Sequence, residues 1–260
     1  KDTMNDSDCL SFYNQMRNGV VFKTSQINPE QYFSFFEELL INNLPIIHIS
    51  LGSGVSNTIN SAALAVSLLK EQYSNVDIRL IDTKLASLGS VLIMNKLIEF
   101  SNNGDTVDDA INKISPLVDS LNAIYTTDTL TYFARGGRLS KAEAFIGNVL
   151  KINPILDCDP NGKLRVVEKV RGKNKALENL IKRIKHNVID PKNQTIYLCH
   201  ADNKESTLLL AQRLVNEIGF KDYKIYLMGP IIGAHAGPGV IACFFFGKKR
   251  TNSVLYNTDK

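Results

Sequence analysis

A stretch running from an apolar strand through a glycine- and hydroxyl-rich turn directly into a helix constrains this fold more than any other feature. It reads IIHISLGSGVSNTINSAALAVSLLK, Ile46 to Lys70. A second apolar strand follows at VDIRLIDT, and strand, helix, strand calls for a crossover onto a parallel neighbour in an α/β unit. Ile59, Ala62, Ala63, Val66 and Leu69 form the stripe predicted to face the core. The turn, Ser50–Thr58, offers unpaired N–H groups, the hydroxyls of Ser53, Ser56 and Thr58 and the Asn57 amide at the positive end of a helix, where an anion is stabilised. Gly52 and Gly54 are expected to let the backbone approach such a ligand. An ordinary capped strand–helix turn uses the same residues, so the turn alone does not decide.

Around this unit the chain punctuates itself clearly. In TSQINPEQYFSFFEELLINN, Asn28 is the expected N-cap, Pro29 suits the first helical position, and Gln31 sits where a capping box takes Glu or Gln. Helices are predicted at SLGSVLIMNKLIEFSNN and TVDDAINKISPLVDSL. From about residue 121 the pattern changes to strands at NAIYTTDT, INPILDC, LRVVEKVR, TIYLCHA, YKIYLMGP and GVIACFFFG, with helices at KALENLIKRIKHNV and ESTLLLAQRLVNEIG. DPNG is a hairpin-type turn, and Ser140 with Glu143 reads as a further helix start. The expected fold class is therefore α/β in two domains. Residues 1–120 form a three-layer parallel-sheet domain, and residues 121–260 form a two-layer mixed-sheet domain. The first offers two clear strands, thin for an open sheet, so a strand ahead of residue 1 is expected to be missing.

Composition removes several function classes. The 260 residues are 44% hydrophobic, enough for two medium cores, yet no run of eighteen apolar residues suggests a membrane span. KDTMNDSDCLSFYNQM is polar, lacks an apolar h-region and is not expected to be a signal peptide. A net charge of +4 is mild, and its densest clusters, GKKR and KVRGKNK, lack the aromatic interleaving of a nucleic-acid groove. Cys9, Cys158, Cys199 and Cys243 have no CxxC spacing, and His48, His186, His200 and His235 pair with no ligand-spaced neighbour. A reduced cytoplasmic setting without a metal is expected.

Three further places carry candidate chemistry. KTSQ, Lys23–Gln26, puts Thr24 and Ser25 before a capped helix. His235 lies among Gly229, Gly233, Gly237 and Gly239, in what reads as a loop where a histidine can donate to an anion or to a hydroxyl that binds one. Arg171 ends a strand and is a candidate anion partner. The alternative is a nucleotide-cofactor enzyme: GSGVSN begins like a dinucleotide fingerprint, and Asp82 ends the next strand where a ribose-binding acid sits. The third glycine is replaced by Asn57, no Walker lysine occurs, and GxSxG is not matched.

Taken in order, KTSQINPEQYFSFFEELL, IHISLGSGVSNTINSAALA, IDTKLASLGSVLIM, ARGGRLSKAEAFIGNVLKINPIL, VEKVRGKNKAL, GPIIGAHAGPG and the final GKK resemble the DegV family of bacterial fatty-acid-binding proteins, over about residues 20 to 250. That resemblance implies a DegV-like fold with a long-chain fatty acid in a tunnel between the two domains, and no other cofactor. It implies that the carboxylate meets Thr24 and Ser53, with His235 in the same network and Ser25, Gly54 and Asn57 assisting. Members of one branch present the acid to a separate dihydroxyacetone-kinase-like, ATP-binding subunit, which implies docking near Arg171. Nucleic acid and membrane spans are not implied. The family's opening strand with its Asp-Ser-[Thr/Ala] motif is absent here, and its paired serines before the glycine are Gly52-Ser53, which removes one donor.

Overall fold

The computed structural model describes residues 5–140 and 152–252. In chain order its elements are α1 (Asp6–Arg17), α2 (Pro29–Leu40), β1 (Ile46–Ser50), α3 (Thr58–Gln72), β2 (Ile78–Asp82), α4 (Leu88–Asn102), α5 (Val107–Ser120), β3 (Leu121–Thr126), α6 (Thr131–Arg135), β4 (Ile152–Cys158), β5 (Leu164–Arg171), α7 (Lys173–Asn187), β6 (Thr195–His200), α8 (Lys204–Ile218), β7 (Asp222–Leu227), α9 (Pro230–Ala236) and β8 (Ile241–Phe246). The fold is mixed α/β, with one parallel and one mixed sheet. Two compact units divide the chain: Ser25–Val118, and Lys1–Thr24 together with Asp119–Lys260.

In Ser25–Val118, β1 and β2 pair in parallel from Ile46↔Ile78 to Ser50↔Asp82. Helix α2 begins with a reciprocal capping box: Gln31 N–H donates to the Asn28 side chain at 2.8 Å and Asn28 N–H donates to Gln31 Oε1 at 3.0 Å. Its Tyr32 and Phe36 pack on Ala62, Ala65, Val66 and Leu69 of α3 and Ile78 of β2. The α3 stripe differs slightly from the expected one. Ala63 is exposed, and Ser61 and Ala65 are buried instead. The i, i+3/i+4 series that reaches Leu69 passes through 58, 61, 62, 65 and 66, and alanine's small side chain marks either face equally well.

The other unit holds a mixed sheet of order β5-β4-β3-β8-β6-β7. Helices α7 and α8 cover one face. Leu177, Leu180, Ile181 and Ile184 of α7 and Leu210, Ala211 and Leu214 of α8 share a core with Ile124, Ile155, Ile196, Leu198, Ile241, Cys243 and Phe245. Strand side chains alternate, so Tyr125 and Phe244 meet on the opposite face, edge to face at 6.0 Å. The β4–β5 hairpin turns at Asp159–Gly162, where Gly162 N–H donates to the Asp159 carbonyl and Asn161 N–H to its side chain.

Residues 5–24, expected in the first domain, belong with this mixed-sheet unit. Cys9, Phe12, Tyr13 and Met16 form a buried stripe on α1. The fully buried Tyr13 donates its hydroxyl to the Met228 carbonyl at 2.6 Å, across 215 residues. Arg17 pairs with Asp202 in the same unit. The helix expected from Ser140 and Glu143 lies outside the described residues beyond Ser140. No helix among the described residues is long and apolar enough to cross a membrane.

Candidate functional site

The turn after β1 is shaped by its own unit. Gly52 N–H donates to the Leu85 carbonyl at 2.9 Å. A Cβ at this position would lie 2.5 Å from Leu85 N and 2.7 Å from the Lys84 carbonyl carbon. The close approach of the chain leaving β2 is enough to require glycine here. Ser53 donates its N–H to Asp82 Oδ1 at 3.0 Å and its hydroxyl to Asp82 Oδ2 at 2.5 Å, and Lys84 N–H reaches Oδ1 at 2.9 Å. The parallel register that pairs Ser50 with Asp82 brings this carboxylate beside the turn. Both Asp82 oxygens are therefore engaged within the protein. That engagement does not favour the ribose-binding role on which the nucleotide-cofactor alternative rests.

The remaining residues of this half surround the start of α3. Asn57 is the N-cap residue without a side-chain cap bond, and it accepts from the Asn60 amide instead. Its carbonyl receives Gln26 Nε2 at 3.3 Å, and the same amide donates to Ser61 Oγ at 2.7 Å. Gly54 lies in the turn, half-buried, while Ser25 and Ser53 are exposed. Replacing Asp82 with alanine is expected to lower stability by about 1 kcal/mol, because three donors lose a charged acceptor while water partly replaces it at exposed Ser53. Denaturant unfolding measures this; an unchanged midpoint would show the bonds contribute nothing.

Thr24 and His235 meet in the mixed-sheet unit. Thr24 Oγ1 lies 2.6 Å from His235 Nε2. His235 is not in a loop, as its glycine-rich setting suggests, but in the last turn of the seven-residue α9. The glycines are there for packing. A Cβ on Gly233 would overlap the Tyr13 hydroxyl, and one on Gly237, at φ 80°, would overlap the Tyr132 ring. The other imidazole nitrogen, Nδ1, is buried without a hydrogen-bond partner among the described residues. Burial, and secondarily the charge of Arg138, lowers the His235 pKa from its ordinary value, which favours the neutral ring. Arg171 ends β5 in an exposed position, before Gly172 turns the chain into α7 at φ 93°.

The structure thus brings Thr24 and His235 together, and in the other unit groups Ser53, Gly54 and Asn57 around one turn. A hydroxyl bonded to a neutral imidazole is a donor device suited to a carboxylate. Among the described residues no three His, Cys, Asp or Glu side chains are placed to hold a metal. Sequence reasoning did not assign Asp82 to Ser53, nor Arg138 to the surroundings of His235. The first was latent in the parallel register, and the second in the arginine-rich ARGGR.

Comparison with known proteins gives the family. A family model described as uncharacterised protein, DegV family COG1307, matches residues 1–248. A DegV domain-containing protein of Clostridium perfringens is 32% identical over 91% of this chain and 81% of its own length. A Thermotoga maritima protein named fatty acid-binding protein is 31% identical over 92% of this chain and 83% of its own. The crystal structure of a DegV lipid binding protein from Thermotoga maritima superposes with a TM-score of 0.80 at 28% identity, covering 96% of this chain and 86% of that one. A match that spans both units and every motif around Thr24, Ser53 and His235 has one meaning: the chain belongs to the DegV family.

Proposed function

We propose that this protein binds a long-chain fatty acid and presents its carboxylate to a separate ATP-binding subunit of the dihydroxyacetone-kinase type, which forms the acyl phosphate. The observation that carries this reading is the Thr24–His235 hydroxyl–imidazole pair, with its neutral ring and buried second nitrogen. Relatives named for fatty-acid and lipid binding support the ligand class. Within the Ser25–Val118 unit, Ser25, Ser53, Gly54 and Asn57 are the further head-group candidates that the family resemblance implies. To donate to the ligand, Ser53 must rotate its hydroxyl away from Asp82 or share it.

Tail and head do different work. At ~0.8 kcal/mol per buried CH₂, a tail of about fourteen methylenes contributes on the order of 11 kcal/mol before ordering costs. Hydrogen bonds to a charged head group contribute roughly 1.5–3 kcal/mol each. The polar residues therefore orient the carboxylate more than they retain the lipid, as suits a carrier. The four cysteines are buried and unbridged, which supports a reducing, cytoplasmic setting.

The test is reconstitution. Lipid-loaded protein with ATP alone is expected to yield no acyl phosphate, and adding the kinase subunit to restore it. Turnover of ATP without the second subunit would overturn the division of labour. Within the same assay Arg171→Ala is expected to leave lipid content unchanged and to weaken coupling by several-fold at low salt, less at high salt, because an exposed strand-end cation steers an anionic encounter. Full coupling in the variant at low salt would assign Arg171 to an ordinary solvated position.

A further inference from the structure

Gly136 closes α6 with φ −74° and ψ −7°, a helical conformation open to any residue. Its backbone is fixed: its N–H donates to the Tyr132 carbonyl at 2.9 Å, and its carbonyl accepts from Arg138 Nη1 at 2.6 Å. What requires glycine is the neighbour. A Cβ would overlap His235 Nδ1 and come within 3.2 Å of its Cγ. The imidazole edge is thus seated on bare backbone, with Nδ1 buried and unbonded among the described residues.

That seat decides where the ring proton goes. A buried, unpaired acceptor is tolerated more readily than a buried, unpaired N–H. The neutral ring therefore carries its proton on Nε2, which faces Thr24 Oγ1. In that tautomer His235 donates, Thr24 accepts, and the threonine keeps its own hydrogen to offer onward. In the opposite tautomer Thr24 donates to the ring and has nothing left for an anion. We propose that Gly136 is a positioning residue: by seating His235 with Nδ1 buried against bare backbone it sets the direction of the His235–Thr24 hydrogen bond and so makes Thr24 the donor to the ligand carboxylate. The last step rests on the fatty-acid reading above; the tautomer does not.

Histidine-¹⁵N NMR of the ligand-free protein tests it, with the His235 resonances assigned by their loss in His235→Ala. The Nε2–H tautomer is expected, and the Nδ1–H tautomer would overturn the proposal. Gly136→Ala is expected to shift the His235 ring signals and to cut the preference for a fatty acid over the matching fatty alcohol by roughly tenfold, the tail being common to both. Unchanged ring signals and preference would overturn the role of Gly136. Wild-type protein that binds neither lipid would instead defeat the fatty-acid reading and leave the tautomer result standing. Should Gly136→Ala fold poorly, the same substitution in the His235→Ala background is expected to cost clearly less thermal stability, because the ring is gone and only the Tyr132 carbonyl oxygen, 3.3 Å from the added Cβ, remains close. An equal loss in both backgrounds would place the defect elsewhere.

Discussion

Gly52→Ala is expected to destabilise the protein by about 3 kcal/mol, the upper part of the range for overpacking a fixed site, and to lower Tm by on the order of 10 °C. The new Cβ would meet backbone rather than a movable side chain, at 2.5 Å from Leu85 N and 2.7 Å from the Lys84 carbonyl carbon. Either the turn or the segment after β2 must move. The turn carries Ser53 and the segment follows directly on Asp82, so their hydrogen bonds are expected to be disturbed with the packing. Gly229→Ala is the matched control. Its φ of −69° suits alanine and nothing lies within 4 Å of the added atom, so a cost under about 1 kcal/mol is expected. Equal Tm shifts in the two variants would show that Gly52 is not held by contact.

His235→Ala and Thr24→Val are expected to separate lipid retention from chemistry. Each removes one side of the 2.6 Å hydrogen bond and, in the proposed reading, acts on the head group rather than on the tail. Lipid content should therefore stay near the wild-type level, since the tail supplies most of the affinity. Acyl-phosphate formation with the proposed kinase subunit should fall roughly 10- to 100-fold, the range for a lost hydrogen bond to a charged group. Loss of lipid in proportion to loss of activity would mean that these residues hold the ligand rather than aim it. A pair of variants agreeing with each other adds weight, because the bond needs both partners.

The local devices of this fold were legible from the chain. Asn28, Pro29 and Gln31 specify a helix start through contacts three residues apart, and the structure forms that box. The alternating runs from residue 121 onward gave the strands of the mixed sheet, because one face meets α7 and α8 and the other is packed as well. Long-range contacts were not legible. The stripe at Cys9, Phe12, Tyr13 and Met16 marks α1 as a buried helix, but its attachment to the mixed-sheet unit depends on Met228, 215 positions beyond Tyr13. Glycines around His235 suggested a loop, whereas Tyr13 and Tyr132 use their bareness to pack against α9. Ser53 looked free to meet a ligand until the strand register placed Asp82 beside it. At the site, the resemblance named the residues, and the structure showed which donors already have partners.

The most direct test of the account is chemical. Protein purified under native conditions is extracted, and the extract is quantified by mass spectrometry against the protein. The account predicts a long-chain fatty acid at close to one molecule per chain, lost on delipidation and regained on incubation with free fatty acid but not with nucleotides. Delipidated protein that fails to take up any fatty acid, or that binds a nicotinamide nucleotide tightly in its place, would contradict it.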